Sequence, residues 1–490
     1  MSLDLLKKTE DENDYDIKTR LKYMQENMAK NIQNISSVQD WLSWNQKKQT
    51  YIPEKLDILD TQLFIGFKTP DYNLNEVVAP DFSIISDEGG VLRTKARTFI
   101  IAGEKGSGKS ILASIIGLDN FVYKYHLPTL IIDPNPTAEW YVHKNSILSI
   151  VSSSVKKQIE SFVFRTNQEI RKYKCVVYKP SFNSSFEEEG VDKNYVLTLQ
   201  DFKDLYRFSK VDGVKALADI LEVSNERASE SMIVQILANE NFKTFNDVLD
   251  AIENRRKTFR EINNEELKIT GRAFSTYLRS AILMGAVSPD LPDEKNNILE
   301  DMLKNDFVVF RSKTKGSNSD DKIMDKYYTY IKIILLKILN DRVSFVSGKG
   351  STKINSKLNS EYGIQIIIDE IDTLAPANQG SVVAQIIQEL ATKYRKAGVN
   401  LIGITQDLAT VDETLQKQAD GILMSQINTE GNIRALKNKG FEENVITIMK
   451  RLPKEKTNIF GFKISKWCFI TPQKQLIFFY PTLSLSAFKI

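Results

Sequence analysis

The sequence has very little cysteine. Only two cysteines occur in 490 residues, Cys175 and Cys468. Both lie in apolar runs typical of β-strands, where a thiol generally behaves as a small apolar side chain. This excludes a protein held together by a disulfide framework and a zinc site built from several cysteines.

Long hydrophobic runs are also missing. No stretch approaches the roughly 20 apolar residues that a membrane-spanning helix needs. The most apolar helix-like stretch, residues 327–339, is short and contains Lys332 and Lys337. The N-terminus mixes acidic and basic residues from its first positions, unlike a secretory signal. We therefore expect a cytoplasmic protein without a membrane anchor.

The chain has almost no excess charge of either sign. Its 66 lysines and arginines are balanced by 63 acidic residues, which leaves a net charge of +3. The electrostatic field of a protein with so small a net charge does not identify a nucleic-acid binder. Any contact with DNA must therefore come from local basic surfaces.

The length suggests more than one folded unit, since a domain averages about 150 residues. Residues 1–60 have apolar positions at helical spacing amid dense charge, which predicts an N-terminal helical extension that binds a partner protein. Residues 61–184 begin with short β-like runs, and they then alternate strands with helices. Residues 185–300 are helical and predict an inserted subdomain. The alternation resumes over residues 301–490 and ends in a β segment, so the strands predict a mainly parallel sheet in an α/β fold.

The strongest motif is GEKGSGKS at residues 103–110, which fits G-x-x-x-x-G-K-[ST] at every fixed position. An apolar strand precedes it and an apolar helix follows it. Glycines let successive N–H groups face a phosphate chain at a helix N-terminus that favours anions. We expect Lys109 to reach the β and γ phosphates and Ser110 to bind Mg²⁺. The predicted ATP-binding residues are Gly103, Glu104, Lys105, Gly106, Ser107, Gly108, Lys109, Ser110 and Ile111.

A second motif is the apolar run at residues 364–368, which ends in Asp369 and Glu370. A carboxylate at the end of a buried strand next to the P-loop can hold Mg²⁺ through its waters, and we assign this role to Asp369. Glu370 can orient and deprotonate the attacking water. Taken alone, two adjacent acids could simply begin a loop.

A third element follows the acids. A helix predicted over residues 381–396 leads into a strand over residues 399–404, which delivers Thr405 and Gln406. We expect this strand to neighbour the acidic strand, so that Gln406 can sense the γ-phosphate. Thr-Gln after a strand is also common in ordinary loops.

Together, GEKGSGKS, IIIDEID and YRKAGVNLIGITQ resemble the HerA/FtsK superfamily of DNA-pumping ATPases. The resemblance is strongest to the archaeal and viral HerA-like branch and to type IV coupling proteins. The resemblance covers about residues 97–184 and 301–485. Within the first range it includes Asp133 and Glu139, which follow the second strand. For these two acids, helix capping is an equally good account.

The resemblance implies a RecA-like P-loop NTPase core that works as a homo-hexameric ring around DNA. In such a ring, an arginine of one subunit completes the ATP site of its neighbour. Arg395 and Arg434 are the positions that match arginines of the family, and the sequence does not choose between them.

A basic loop precedes the acidic strand. Residues 344–360 contain Lys349, Lys353 and Lys357 and are rich in glycine and serine. Such a loop can follow a phosphate backbone without reading bases, although it can equally be a solvated surface loop. The leading hypothesis is a DNA translocase acting in packaging, conjugative transfer or DNA processing. The alternatives are a secretion-type ATPase that moves a protein, and a nucleotide-controlled assembly switch.

Overall fold

The computed structural model describes a defined set of residue ranges. They are 66–67, 77–78, 84–86, 92–94, 97–122, 126–134, 173–181, 193–223, 227–253, 265–290, 297–311, 321–347, 363–377, 380–393, 397–425, 427, 429–452, 456–459 and 462–481. The predicted N-terminal helices at residues 1–60 lie outside these ranges. The same holds for Arg395, Glu139 and the three lysines of the predicted DNA loop.

The β-strands within these ranges begin in the short runs that the sequence predicts after residue 60. In chain order they are β1 Gly66–Phe67, β2 Val77–Val78, β3 Ile84–Ser86, β4 Leu92–Thr94, β5 Thr98–Ala102, β6 Thr129–Asp133, β7 Cys175–Pro180, β8 Lys193–Tyr195, β9 Phe307–Arg311, β10 Ile364–Ile368, β11 Val399–Thr405, β12 Gly421–Met424, β13 Lys456–Ile459, β14 Phe462–Ser465, β15 Trp467–Ile470 and β16 Leu476–Pro481.

One large sheet organises the fold. Its strand order is β2-β1-β16-β15-β12-β5-β11-β10-β6-β9-β7-β8. Every neighbouring pair from β12 to β8 is parallel, whereas the pairs at the β2 end are antiparallel. Strands β5, β6, β9, β10 and β11 are buried at every residue, as expected for a parallel sheet covered on both faces. The predicted α/β fold with a RecA-like P-loop core and a mainly parallel sheet is confirmed.

The position of the acidic strand corrects one expectation. The strand that ends in Asp369, β10, is not the immediate neighbour of the P-loop strand β5, because β11 pairs with both of them. The prediction that β11 neighbours the acidic strand is confirmed. All three strands are parallel, so their carboxyl ends still meet at one edge of the sheet. The local sequence of a strand sets its burial but not which parallel strand lies beside it, and this explains the error.

The helices cover the sheet. They are α1 Lys109–Ser114, α2 Leu199–Phe208, α3 Lys210–Leu221, α4 Arg227–Ala238, α5 Phe245–Glu253, α6 Glu265–Leu283, α7 Ile298–Lys304, α8 Asp321–Ser347, α9 Ile371–Leu374, α10 Val382–Ala391, α11 Glu413–Gln418, α12 Glu430–Asn438 and α13 Glu443–Met449. Helices α2 to α6 lie within residues 185–300, for which the sequence predicts an inserted helical subdomain. The same range contains β8 of the large sheet, so this part of the chain is not wholly helical. A π-helical segment, Ile115–Val122, continues α1. The helix predicted over residues 381–396 ends earlier, at Ala391.

Alternation along the strands separates two apolar clusters, one on each face of the sheet. In β5, Ile100 and Ala102 belong to one cluster, whereas Phe99 and Ile101 belong to the other. The first cluster extends without a break through α8 into the helices α2 to α6. An ion pair of 2.7 Å between Lys337 of α8 and Asp201 of α2 reinforces this contact.

None of the described helices is both long enough and apolar enough to cross a bilayer. The two cysteines lie in strands, as the sequence predicts: Cys175 is half-buried at the start of β7, and Cys468 is buried in β15. Burial raises the pKa of the Cys468 thiol to about 12, although a hydrogen bond from the backbone N–H of Ile477 acts in the opposite direction.

Candidate nucleotide-binding site

The predicted P-loop connects the buried strand β5 to the helix α1. Gly106 and Gly108 have φ angles of +80° and +92°, a region that side-chain-bearing residues rarely adopt. A Cβ added at either position would meet nothing within 4 Å. Backbone conformation, and not lack of space, therefore requires these two glycines. Lys105 and Gly106 are exposed, so the outer face of the loop is accessible to a ligand.

Lys109 ties the loop together. Its Nζ donates to the carbonyl oxygen of Gly103 at 2.7 Å and to that of Glu104 at 3.0 Å. Burial lowers the pKa of Lys109, and the charges of Asp369 and Glu370 act against this lowering. The ammonium group is therefore within electrostatic reach of both predicted acids. Residues more than 250 positions apart in the chain converge at this edge of the sheet.

Asp369 is held at the end of β10 by its own backbone. Its N–H donates to the carbonyl oxygen of Ile132 at 2.9 Å, and its Oδ1 accepts from the N–H of Glu370 at 3.0 Å. Burial, together with the negative charge of Glu370, raises the pKa of Asp369 to about 6, although the hydrogen bond from the N–H of Glu370 acts in the opposite direction. The positive charge of Lys109 also acts against the raised pKa. A carboxylate whose charge is this poorly compensated is a good ligand for a cation.

Glu370 has an unusual backbone. Its φ of 49° and ψ of 50° put it in the left-handed region, which costs a residue with a side chain about 1–2 kcal/mol. The turn is held by the hydroxyl of Thr373, which donates to the carbonyl oxygen of Glu370 at 2.8 Å. Strain of this kind is maintained only where the surrounding structure fixes it, and it is frequent at functional sites. The sequence gives no sign of it.

The tip of β11 contacts the first residue of the P-loop. The N–H of Gly103 donates to the carbonyl oxygen of Thr405 at 3.2 Å. The hydroxyl of Thr405 bonds in turn to the backbone of Asp407, donating to its carbonyl oxygen at 3.0 Å and accepting from its N–H at 3.1 Å. Gln406 is exposed between these two anchored residues. The predicted sensor therefore lies at the edge of the sheet that carries the P-loop and the two acids.

Ser425 is a residue of this site that the sequence reading missed. It is fully buried at the end of β12, on the other side of β5, and its N–H donates to the carbonyl oxygen of Ala102 at 3.2 Å. A Cβ on Gly103 would collide with the Oγ of Ser425 and would lie 2.8 Å from the Oγ of Ser107. Neither hydroxyl has a hydrogen-bond partner among the residues described. The only signal in the sequence is a serine at the end of an apolar strand, which is too common to identify it.

Arg434 lies apart from this cluster. It is exposed on α12, the helix that begins at Glu430 beyond β12. It lines a groove to which residues 103–110, Asp369 and Glu370 contribute nothing. The structure therefore does not bring Arg434 to the nucleotide site of its own subunit. Asp133 is fully buried at the end of β6, where its register partner is Arg311 of β9.

The oxygen atoms at the site suit Mg²⁺. The described residues contain no cluster of three or more acidic, histidine or cysteine side chains that could enclose a metal. Magnesium usually retains several waters and uses one or two protein ligands together with phosphate oxygens. The hydroxyl of Ser110 and the carboxylate of Asp369 fit that requirement.

Comparisons with solved structures give distant similarities. The chain is similar to VirB4 of Thermoanaerobacter pseudethanolicus, with 12% identity, coverage of 87% of this chain and 98% of that chain, and a TM-score of 0.47. It is also similar to the genome packaging NTPase B204 from Sulfolobus turreted icosahedral virus 2, solved in complex with ATP-γS, with 13% identity, coverage of 80% and 100%, and a TM-score of 0.31. A third similarity is to EccC of Thermomonospora curvata, with 9% identity, coverage of 83% and 90%, and a TM-score of 0.20.

No protein-family model matches the chain, and no curated protein matches it in sequence. Because all three TM-scores are below 0.5, the fold assignment rests on the strand order and on the P-loop geometry of this chain.

Proposed function

We propose that this chain is an ATP-hydrolysing motor that moves DNA. The observation that carries the proposal is that the loop containing Lys109 and the pair Asp369 and Glu370 follow the carboxyl ends of β5 and β10, which both pair in parallel with β11. Three separate strands supply the groups of the site, namely β5, β10 and β11. A site that only bound nucleotide would not need an acid held in a strained turn beside the loop.

The residues of the site divide the work of hydrolysis. The P-loop N–H groups and Lys109 bind the triphosphate and neutralise charge that develops on the γ-phosphate. Ser110 and Asp369 hold Mg²⁺, which neutralises phosphate charge when it is bound. Glu370 accepts the proton of the attacking water. Gln406, at the exposed tip of β11, detects whether the γ-phosphate is present.

Two substitutions test this assignment. Lys109→Ala is expected to reduce ATP turnover by about 100-fold or more, because it removes a preorganised charge from the transition state. Glu370→Gln is expected to reduce turnover by roughly 10²–10⁴-fold, the typical contribution of a general base, while ATP binding is retained. Glu389→Gln and Lys215→Ala change the same residue types elsewhere and are the matched controls. Equal turnover in Glu370→Gln and in the parent would remove Glu370 from this role.

The choice of DNA as substrate is tested by stimulation of turnover. The test compares the ATPase rates of the full chain alone, with double-stranded DNA, with single-stranded DNA and with an unfolded polypeptide. A severalfold increase with DNA supports the proposal. Stimulation by the polypeptide alone would favour a secretion-type ATPase. Assembly that depends on nucleotide, without stimulation by either polymer, would favour a switch.

The DNA contact is proposed at Lys349, Lys353 and Lys357. Changing all three to alanine is expected to weaken binding equally for unrelated sequences, because phosphate contacts carry no sequence information. The dependence of log K on log[salt] should decrease by about 2–3, since each phosphate contact contributes roughly 0.7–0.9. Unchanged affinity and salt dependence would exclude these lysines.

The motor is proposed to work as a homo-hexamer in which Arg395 or Arg434 acts on the ATP of a neighbouring subunit. If an arginine acts across the interface, a ring that mixes two inactive variants contains some sites with both an intact arginine and an intact Glu370. Mixing the Arg395→Ala or Arg434→Ala variant with the Glu370→Gln variant should then restore part of the ATPase activity. No restoration in either mixture would exclude both arginines as groups acting between subunits.

A further inference from the structure

A basic groove lies away from the P-loop. Its walls are α11, α12 and the turn between β15 and β16, and it encloses about 750 Å³. This volume is within the range of about 300–1,000 Å³ that is usual for small-molecule sites. No residue of the nucleotide site described above lines it, so it is a separate feature of the molecule.

The groove carries an excess of positive charge. Lys417, Arg434, Lys439 and Lys474 line it, and Glu413 is the only acid among its lining residues. Glu413 is already engaged in an ion pair of 3.1 Å with Lys417. Arg434, Lys439 and Lys474 form no ion pair with any residue that the structure describes. Three cations therefore face the same space without a counter-ion from the chain.

The backbone brings two of these cations together. Lys474 is in the left-handed region with a φ of 62°, and its neighbour across the groove, Gly440, has a φ of 82°. A Cβ on Gly440 would lie 3.5 Å from the Nζ of Lys474, which puts this ammonium beside the residue that follows Lys439. Burial lowers the pKa of Lys439, and the positive charges of Lys417 and Lys474 lower it further. The charges of Lys417 and Lys474 therefore repel that of Lys439, and a nearby anion would favour its charged form.

The remaining lining is mixed: Gln416, Asn438 and Thr471 are polar, and the others are apolar or small. Ile422 and Ile470 are buried register partners on β12 and β15, and they form part of the lining together with Phe441. A lining that combines one aromatic ring with polar groups, next to a group of cations, suits a ligand that has both a flat ring and a phosphate. Nucleotides have this combination, and base stacking on aromatic rings does not require a particular base.

We propose that this groove binds a nucleotide unit, with its phosphate held by Lys439 and Lys474 and its base against Phe441. The unit is either a free nucleotide or one residue of a nucleic-acid strand. This is a second site within the subunit: none of Lys439, Lys474 and Phe441 belongs to the proposed ATP site, and Arg434 is the one lining residue for which a role at a neighbour's ATP is proposed above. An alternative role for the lysines is to complement the carbonyl groups at the ends of α11 and α12, where cations are favourable.

The test uses the double variant Lys439→Gln/Lys474→Asn. Glutamine keeps most of the side-chain length of Lys439, and asparagine tolerates the left-handed backbone at position 474. The matched control is Lys210→Gln/Lys215→Gln, which removes two exposed charges from α3. All proteins also carry Lys109→Ala, which disables the P-loop, so the result does not depend on ATP turnover.

Two probes distinguish the sources of the ligand. Binding of radiolabelled ATP is measured by equilibrium dialysis, and binding of a fluorescein-labelled 20-nucleotide single strand is measured by anisotropy. The groove variant is expected to lose at least fivefold in affinity for one of them, whereas the control variant retains it. Loss with ATP identifies a free nucleotide, and loss with the oligonucleotide identifies a strand.

Unchanged affinity for both probes would overturn the proposal, as would absence of binding of either probe to the Lys109→Ala parent. A lower thermal midpoint without any change in affinity would assign the lysines to the helix ends. If the double variant fails to fold, Lys474→Asn alone repeats the test, because Lys474 lies in an exposed turn. Failure of DNA to stimulate the ATPase would concern the proposed motor and would leave this result intact.

Discussion

The left-handed backbone of Glu370 predicts that glycine stabilises the protein more than alanine does at this position. In this region a residue with a side chain is less favourable by about 1–2 kcal/mol than glycine. Glycine in turn loses about 0.5–1 kcal/mol more than alanine through its greater freedom in the unfolded chain. Glu370→Gly should therefore be more stable than Glu370→Ala, by up to about 1.5 kcal/mol. Both variants lack the carboxylate, so the loss of its interactions with Asp369 and Lys109 cancels in the comparison.

The comparison becomes decisive with a second site of ordinary helical conformation. Gln385 is exposed in the interior of α10, where glycine is less favourable than alanine by about 1 kcal/mol. At position 370 the glycine variant is expected to have the larger free energy of unfolding, whereas at position 385 the alanine variant is expected to have it. Urea denaturation followed by circular dichroism gives the free energies of unfolding from the midpoints, provided that the slope is unchanged.

The same set of proteins is assayed for ATP hydrolysis. Both variants at position 370 should be inactive, and both at position 385 should hydrolyse ATP at the parent rate. Glu370→Gly is then more stable than Glu370→Ala and is equally inactive. If Glu370→Ala proves as stable as Glu370→Gly, or more so, the argument that this turn is strained fails.

Two further predictions concern the sheet. Gly363 precedes β10 with a φ of +97°, and a Cβ there would collide with the carbonyl oxygen of Gly398. Gly363→Ala should lower the free energy of unfolding by more than 1–2 kcal/mol, which is the approximate cost of the φ angle alone. Gly380→Ala is the control, because Gly380 has open space around it, and it should not lower this free energy. Equal urea midpoints for the two variants would contradict the prediction. Because the pKa of Cys468 is raised to about 12, native protein at pH 8 should react with a thiol reagent at Cys175 and not at Cys468, and mass spectrometry of native and unfolded protein checks this.

The chemistry of the site could be predicted from local sequence to a large extent. The P-loop can be recognised from the sequence because its glycines, lysine and serine occur at fixed spacing between a strand and a helix. Asp369 and Glu370 can be recognised because they follow an apolar run. Each of these signals lies within about ten residues, and each depends on the same short-range physics that forms the strand, the turn and the helix.

The rest depends on contacts between distant parts of the chain. That β11 lies between β5 and β10 follows from packing of the whole sheet, and no residue of β11 specifies its neighbours. Ser425 belongs to the site only because β12 lies on the other side of β5. The left-handed turn at Glu370 is invisible because glutamate is not a residue that normally indicates such a turn.

The position of β5 in the sheet has a consequence for biosynthesis. All five of its residues are buried, but both neighbouring strands, β11 and β12, are encoded about 300 residues later. At roughly 5–20 residues per second, a ribosome needs on the order of 15–60 s to reach them. During that interval the nascent chain exposes an apolar strand with two unpaired edges, which is a hazard for aggregation. We therefore expect co-translational shielding by a chaperone to determine the yield of this protein more strongly than its final stability does.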